Sequence, residues 1–187
     1  MTKPQASPWN LPNAITVVRI LLVPVFIWML LSYPEKSHLE RWFATALYVL
    51  AIATDGLDGA IARKHGLVTN LGKILDPIAD KALIGGALVV LSMLNEVSWW
   101  ATVLILVREL GITAYRFVVI RKRVIAASAG GKAKTITQGI VLGFLLSPLD
   151  SYIPYLGLIE QIALWAAVAI TLYTGFQYLW AARRGAK

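Results

Sequence analysis

Apolar residues in this chain gather into long runs, most of them close to the ~20 residues an α-helix needs to cross ~30 Å of hydrocarbon. With 58% hydrophobic residues and a mean hydropathy of +0.67, the chain is far more apolar than a soluble domain of its length. A backbone immersed in lipid must satisfy its own hydrogen bonds, and helices do so within one segment. The runs therefore predict an all-α, polytopic membrane protein with six transmembrane helices, near 15–33, 41–62, 72–94, 97–120, 134–149 and 156–182. A short amphipathic lead-in precedes the first span, and Pro24 should bend it. The first run ends in Leu31-Ser32-Tyr33-Pro34, without small residues at cleavage spacing, so it reads as a span rather than a cleavable signal. With no repeat, linker or low-complexity tract, residues 1–187 read as a single membrane domain.

The net charge of +8 invites a nucleic-acid reading, but its distribution argues against one. Arg63, Lys64 and Lys73 fall at one turn; Arg121, Lys122, Arg123, Lys132 and Lys134 fall at the next but one; Arg183, Arg184 and Lys187 follow the last span. The alternate loops carry Glu35, Glu40, Glu96 and Asp150, with Lys36 and Arg41 as their cations. By the positive-inside rule both termini are cytoplasmic, as an even number of spans requires. Trp42, Trp99, Trp100 and Trp180 lie near span ends, as interfacial anchors would. The absence of cysteine excludes disulfides, thiolate metal sites and a cysteine nucleophile.

The chemistry is concentrated in Asp55-Gly56-Leu57-Asp58-Gly59-Ala60-Ile61-Ala62-Arg63 and Gly72-Lys73-Ile74-Leu75-Asp76-Pro77-Ile78-Ala79-Asp80. Asp55 and Asp58 are three apart and Asp76 and Asp80 four apart, so each pair shares a helix face. On antiparallel neighbours joined by a short turn, the pairs would lie at matching depths, ~6 to 12 Å from the helix ends. An ionised aspartate well inside a bilayer costs ~3 kcal/mol, and four together repel one another. Two divalent cations would cancel that charge; oxygen ligands suit Mg²⁺, Mn²⁺ or Ca²⁺, and paired metals suit phosphoryl chemistry. The bland alternative pairs the aspartates with Lys73, Lys81, Arg63 or Arg108. Gly59 and Gly72, lacking a Cβ, would let a nucleotide or a neighbouring helix approach the backbone. His38 and His65 have no partner at ligand spacing, and Ser128 and Thr135 have no triad around them.

Asp55-x-x-Asp58-Gly59-x-x-Ala62-Arg63 followed by Gly72-x-x-x-Asp76-x-x-x-Asp80 resembles the signature of the CDP-alcohol phosphotransferases at every fixed position. Further segments are similar to the branch of that family that makes phosphatidylglycerophosphate: Asn10-Leu11-Pro12-Asn13-Ala14-Ile15-Thr16-Val17-Val18-Arg19, Leu75-Asp76-Pro77-Ile78-Ala79-Asp80-Lys81, Arg108-Glu109, Arg116, and Gly131-Lys132-Ala133-Lys134-Thr135-x-x-Gln138. The resemblance implies transfer of a phosphatidyl group from CDP-diacylglycerol to sn-glycerol 3-phosphate, with CMP released. It implies Asp55, Asp58, Asp76 and Asp80 as ligands of two Mg²⁺ (or Mn²⁺), with Asp80 also the general base. It places Asp58, Gly59, Ala62, Arg63, Thr69 and Gly72 around the CDP-lipid. It further implies a homodimer among membrane lipids in a bacterial cytoplasmic membrane, its active site on the cytoplasmic side and no nucleic-acid partner.

Glycerol 3-phosphate carries a dianionic phosphate, which calls for cations. Arg108 and Arg116 within the fourth span and Lys134 at the start of the fifth are the expected clamp, with Lys132 and Lys81 as lesser candidates. Against this, Arg108 could instead pair with Glu109 or an aspartate, since buried charges pair. Arg121, Lys122 and Arg123 read as topogenic or headgroup contacts. Cardiolipin synthases are similar around the aspartates, and inositol phosphate or serine are alternative acceptors. A cation or proton transporter is a different class, disfavoured because the carboxylates cluster at one end and no inverted repeat is visible.

Overall fold

A computed structural model describes residues 10–32, 38–67, 69–119 and 129–184; within them, the side chains at 57, 58, 60, 63, 70, 73, 116–119, 129–133 and 184 lie outside the description. The described residues form six α-helices and one short 3₁₀-helix, and no strand. These are α1 (Leu11–Ser32), α2 (His38–His65), α3 (Asn70–Met93), α4 (Trp99–Val119), α5 (Ala129–Leu146) and α6 (Leu156–Arg184), with the 3₁₀ turn Pro148–Ser151 after α5. Each predicted span lies mainly on one helix, although the fifth, 134–149, runs past Leu146 into the 3₁₀ turn. By length and composition, α1 and the Leu156–Arg183 stretch of α6 can each cross a membrane, and Lys134–Leu146 is a shorter apolar helix.

Helix ends are set by local chemistry. Asn10 caps α1, its side-chain Oδ1 accepting from the Asn13 amide at 3.0 Å, so the helix starts before the predicted span. No separate lead-in precedes it among the described residues, since helix begins at Leu11 and continues through Pro24. Thr69 caps α3 in the same way, accepting from the Gly72 amide at 3.0 Å. Gly66, with φ +67°, closes α2: the Leu67 amide donates back to Ala62 O at 2.8 Å, the long bond of a Schellman cap. Asn95, φ 60°, ends α3 likewise, with Glu96 N to Leu91 O at 2.9 Å and Asn95 N to Ser92 O at 3.1 Å.

The chain divides into two compact units. The first comprises Met1–Val90 with Leu146–Pro148, the second Leu91–Leu145 with Leu149–Lys187. In the first, α1 lies against both α2 and α3. Phe26 meets Tyr48 across α1 and α2 with ring centroids 5.9 Å apart. Gly86 of α3 lets Ile27 and Val23 of α1 close in, since a Cβ there would stand 3.1 Å from Ile27 Cδ1. In the second, α4 packs on α6. Polar bonds run between elements: Ser92 to Thr102 at 2.7 Å, Gln138 Nε2 donating to Thr171 Oγ1 at 2.8 Å, and Gln161 Nε2 to Glu96 O at 2.9 Å.

The distribution of polarity is that of a chain made for lipid. Buried positions include Thr16, Arg19, Ser92, Thr102, Gln138 and Thr171, while Leu21, Trp28, Val107, Leu158 and Ile162 lie on the outside. An exterior this apolar is a poor surface for water and a good one for hydrocarbon.

Candidate active site

The signature aspartates lie on α2 and α3, and the helix that touches both is α1. Arg19 of α1 is ion-paired with Asp55 of α2 through Nη1 and Oδ1. Thr16, one turn earlier, donates to Asp76 Oδ1 of α3 at 3.0 Å and also bonds the Pro12 carbonyl. Side chains three apart on a helix are neighbours, so Asp55 and Asp76 are brought to one face of α1. Two further contacts follow toward the helix start. Asn13 donates through Nδ2 to Thr69 Oγ1 at 2.8 Å and accepts from the same hydroxyl at 3.1 Å. Asn10 Nδ2 donates to Leu67 O at 2.9 Å.

Asn10, Asn13, Thr16 and Arg19 thus form a polar stripe at intervals of three along an otherwise apolar helix. Each rung grips a different point of the α2–α3 hairpin: the turn, the α3 cap, Asp76 and Asp55. Arg19 is enclosed, with 2% of its side chain exposed, while Asp55 keeps 45%. Neither sequence reading of the aspartates named Arg19 as a partner. The signal was available, because an arginine inside an apolar span is functional by default.

The expected CDP-lipid residues take specific places. Thr69 is buried, its hydroxyl engaged in the α3 cap and with Asn13. Gly72 is a glycine because α1 comes so near: a Cβ there would stand 2.7 Å from Asn13 Oδ1 and 3.3 Å from Thr69 Oγ1. Of the two reasons for a glycine at this position, close approach of a helix is therefore the visible one. Gly59 and Ala62 are half-buried on α2, and the side chains of Asp58 and Arg63 lie outside the described residues.

Carboxylate oxygens suit a hard divalent cation, and Asp55 stays nearly half exposed although one of its oxygens is held, so the donors present fit such an ion. Asp76 and Asp80 are half-buried on α3. Among the described residues no group of three or more His, Cys, Asp or Glu side chains is gathered as a metal site; Asp58 is not among the side chains described.

In the second unit, Glu109 is the hub of the expected acceptor residues. Its Oε1 accepts from Arg108 Nη1 at 3.0 Å and from Lys134 Nζ, which reaches across from α5. Arg108 Nη2 also donates to Thr174 of α6 at 3.2 Å. Gly175 makes room for that arginine, since a Cβ there would stand 2.9 Å from Arg108 Nε. The pairing of Arg108 with Glu109, set out above as the bland alternative, is what the structure contains. Glu109 as a shared partner of both cations, and Thr174 and Gly175 as the seat of Arg108, went unread; nothing in the sequence joins α4 to α6 at these positions. Lys81 is half-buried on α3; the side chains of Arg116 and Lys132 lie outside the described residues.

All-helical, apolar outside and carrying paired aspartates on consecutive helices, the chain has the features its sequence match states: residues 9–173 match the CDP-alcohol phosphatidyltransferase family, and the chain belongs to it. It is a phosphatidyltransferase. Among its relatives is a probable phosphatidylglycerophosphate synthase of Mycobacterium tuberculosis (strain ATCC 25618 / H37Rv), 44% identical over 91% of this chain and 80% of that one. A CDP-diacylglycerol–glycerol-3-phosphate 3-phosphatidyltransferase of Rickettsia bellii (strain RML369-C) is 41% identical over 94% of this chain and 96% of its own. The enzyme of that name from Bacillus subtilis (strain 168) is 37% identical over 91% and 93%.

Proposed function

We propose that the chain is an integral membrane enzyme that transfers the phosphatidyl group of CDP-diacylglycerol to sn-glycerol 3-phosphate, giving phosphatidylglycerophosphate and CMP. The observation that carries this reading is the delivery of Asp55 and Asp76, from two helices, to neighbouring positions on one face of α1. The names and coverage of the relatives support the choice of substrates.

Asp55, Asp58, Asp76 and Asp80 hold divalent cations, two Mg²⁺ in this reading, which when bound neutralise pyrophosphate charge and ease departure of CMP. The chain's own residues do the rest. Asp80 takes the proton from a hydroxyl of glycerol 3-phosphate. That oxygen forms a bond to the β-phosphorus, the bond from this phosphorus to the bridging oxygen breaks, and CMP leaves with the electron pair. Asp58, Gly59, Ala62, Arg63, Thr69 and Gly72 surround the CDP-lipid, Thr69 and Gly72 by shaping the turn. Arg108, Arg116, Lys134 and Lys132 attract the acceptor's phosphate. The chain works as one domain of six membrane spans, as a homodimer, both termini and the active site on the cytoplasmic side.

The test is CMP release by the purified protein from CDP-diacylglycerol and Mg²⁺ with a panel of acceptors. Release with glycerol 3-phosphate well above that with inositol phosphate, serine or phosphatidylglycerol is the expected result. Release with another acceptor alone reassigns the branch of the family, and no release with any acceptor ends the reading.

A further inference from the structure

Arg19 lies outside the family signature, yet it reaches one of the signature carboxylates from a third helix. We infer that Arg19 is a built-in cation that sets how tightly the aspartate hairpin binds divalent metal, a positioning residue acting through Asp55. The inference rests on the reading that these aspartates hold metal.

Three observations carry it. First, a guanidinium so well buried within an apolar helix is costly unless a carboxylate answers it, and Asp55 does. Second, the pair is asymmetric: Arg19 is enclosed while Asp55 keeps 45% of its side chain exposed, so this carboxylate can serve a second cation without giving up the first. Third, Arg19 cannot easily withdraw. The rungs at Asn10, Asn13 and Thr16 lock the register of α1 against Leu67, Thr69 and Asp76, which leaves the arginine at a fixed depth beside Asp55.

The consequence is electrostatic. Four ionised aspartates without a resident cation would repel one another. A fixed positive charge at Asp55 relieves that repulsion before metal arrives, and opposes metal once it is bound. A site made this way would be held together without metal and would hold an added cation less tightly than the aspartates alone. The fork of arginine suits the role, being always charged and geometrically fixed.

The experiment measures Mn²⁺ binding to purified, nucleotide-free protein in detergent, reading free Mn²⁺ by its spin-resonance signal. Arg19→Met should bind Mn²⁺ roughly tenfold tighter, the effect of removing one positive charge within several ångströms of a divalent ion in a wet site. Arg19→Lys, which keeps the charge, should stay within about threefold of the parent on the same reasoning. A thermal melt confirms that the variants are folded, and Arg19→Gln takes the place of Arg19→Met if that variant is not. Unchanged or weaker Mn²⁺ binding in the folded neutral variant overturns the inference while leaving the metal reading intact. A parent protein that binds no Mn²⁺, or Asp55→Asn and Asp76→Asn variants that bind it like the parent, overturns the metal reading and this inference with it.

Discussion

The two compact units each hold an ion cluster, and the clusters differ in composition. In the first, Arg19 pairs with Asp55 while Thr16 bonds Asp76; in the second, one glutamate answers both an arginine and a lysine. Arg108, Glu109 and Lys134 together carry one formal net positive charge, whereas Arg19 and Asp55 pair one to one. A buried imbalance of either sign is costly and persists where a ligand of the other sign completes it. In the proposed function the aspartates serve cations, and Arg108 and Lys134 serve the anionic phosphate of the acceptor.

The largest expected effect breaks the negative cluster. Asp80→Asn should lower CMP release by about 10²- to 10⁴-fold, the range for loss of a general base. Binding of the CDP nucleotide, followed by equilibrium titration, should survive. Near-normal turnover would remove Asp80 from the role of base.

Next comes the hub of the positive cluster. Glu109→Gln leaves Arg108 and Lys134 side by side without their shared carboxylate and should cost about 3 kcal/mol in unfolding experiments in detergent. Saturating glycerol 3-phosphate should restore part of this loss, because its phosphate supplies the missing negative charge. A stability loss untouched by the acceptor would mean the cluster is purely structural.

Two of the crowded glycines, Gly72 and Gly175, sharpen the comparison. Gly72→Ala drives a methyl group into the Asn13 carboxamide, which is bonded twice to Thr69, and should cost about 1–3 kcal/mol as the upper rungs of α1 separate from α3. The smallest effect belongs to Gly175→Ala, where the obstacle is a flexible arginine that can yield. We expect about 1 kcal/mol or less in stability but a raised KM for glycerol 3-phosphate with the KM for CDP-diacylglycerol unchanged. If both KM values rise together, Arg108 is not specific to the acceptor.

Much of the molecule was legible before any coordinates. Each of the six apolar runs falls on a helix because helix formation in such a chain is dictated locally, by run length and by caps such as Asn10, Thr69 and Gly66. Asp55, Asp58, Asp76 and Asp80 announced themselves by chemistry, since acidic residues paired at helical spacing in apolar surroundings have few uses. The stripe of Asn10, Asn13, Thr16 and Arg19 was written with equal regularity. It went unread because its meaning depends on the helix opposite.

The sequence by itself determined the helices, the family and the helical spacing of the aspartates, because each rests on interactions within a few residues or on a motif of fixed spacing. Only the tertiary structure decided the partners: that Arg19 meets Asp55, that Thr16 meets Asp76, that Gly72 is small for the sake of Asn13, and that Glu109 serves two cations at once. The physical reason is range. A cap or an apolar face is specified by neighbours along the chain, but an ion pair between helices depends on their rotation and register, which the packing of many side chains sets together.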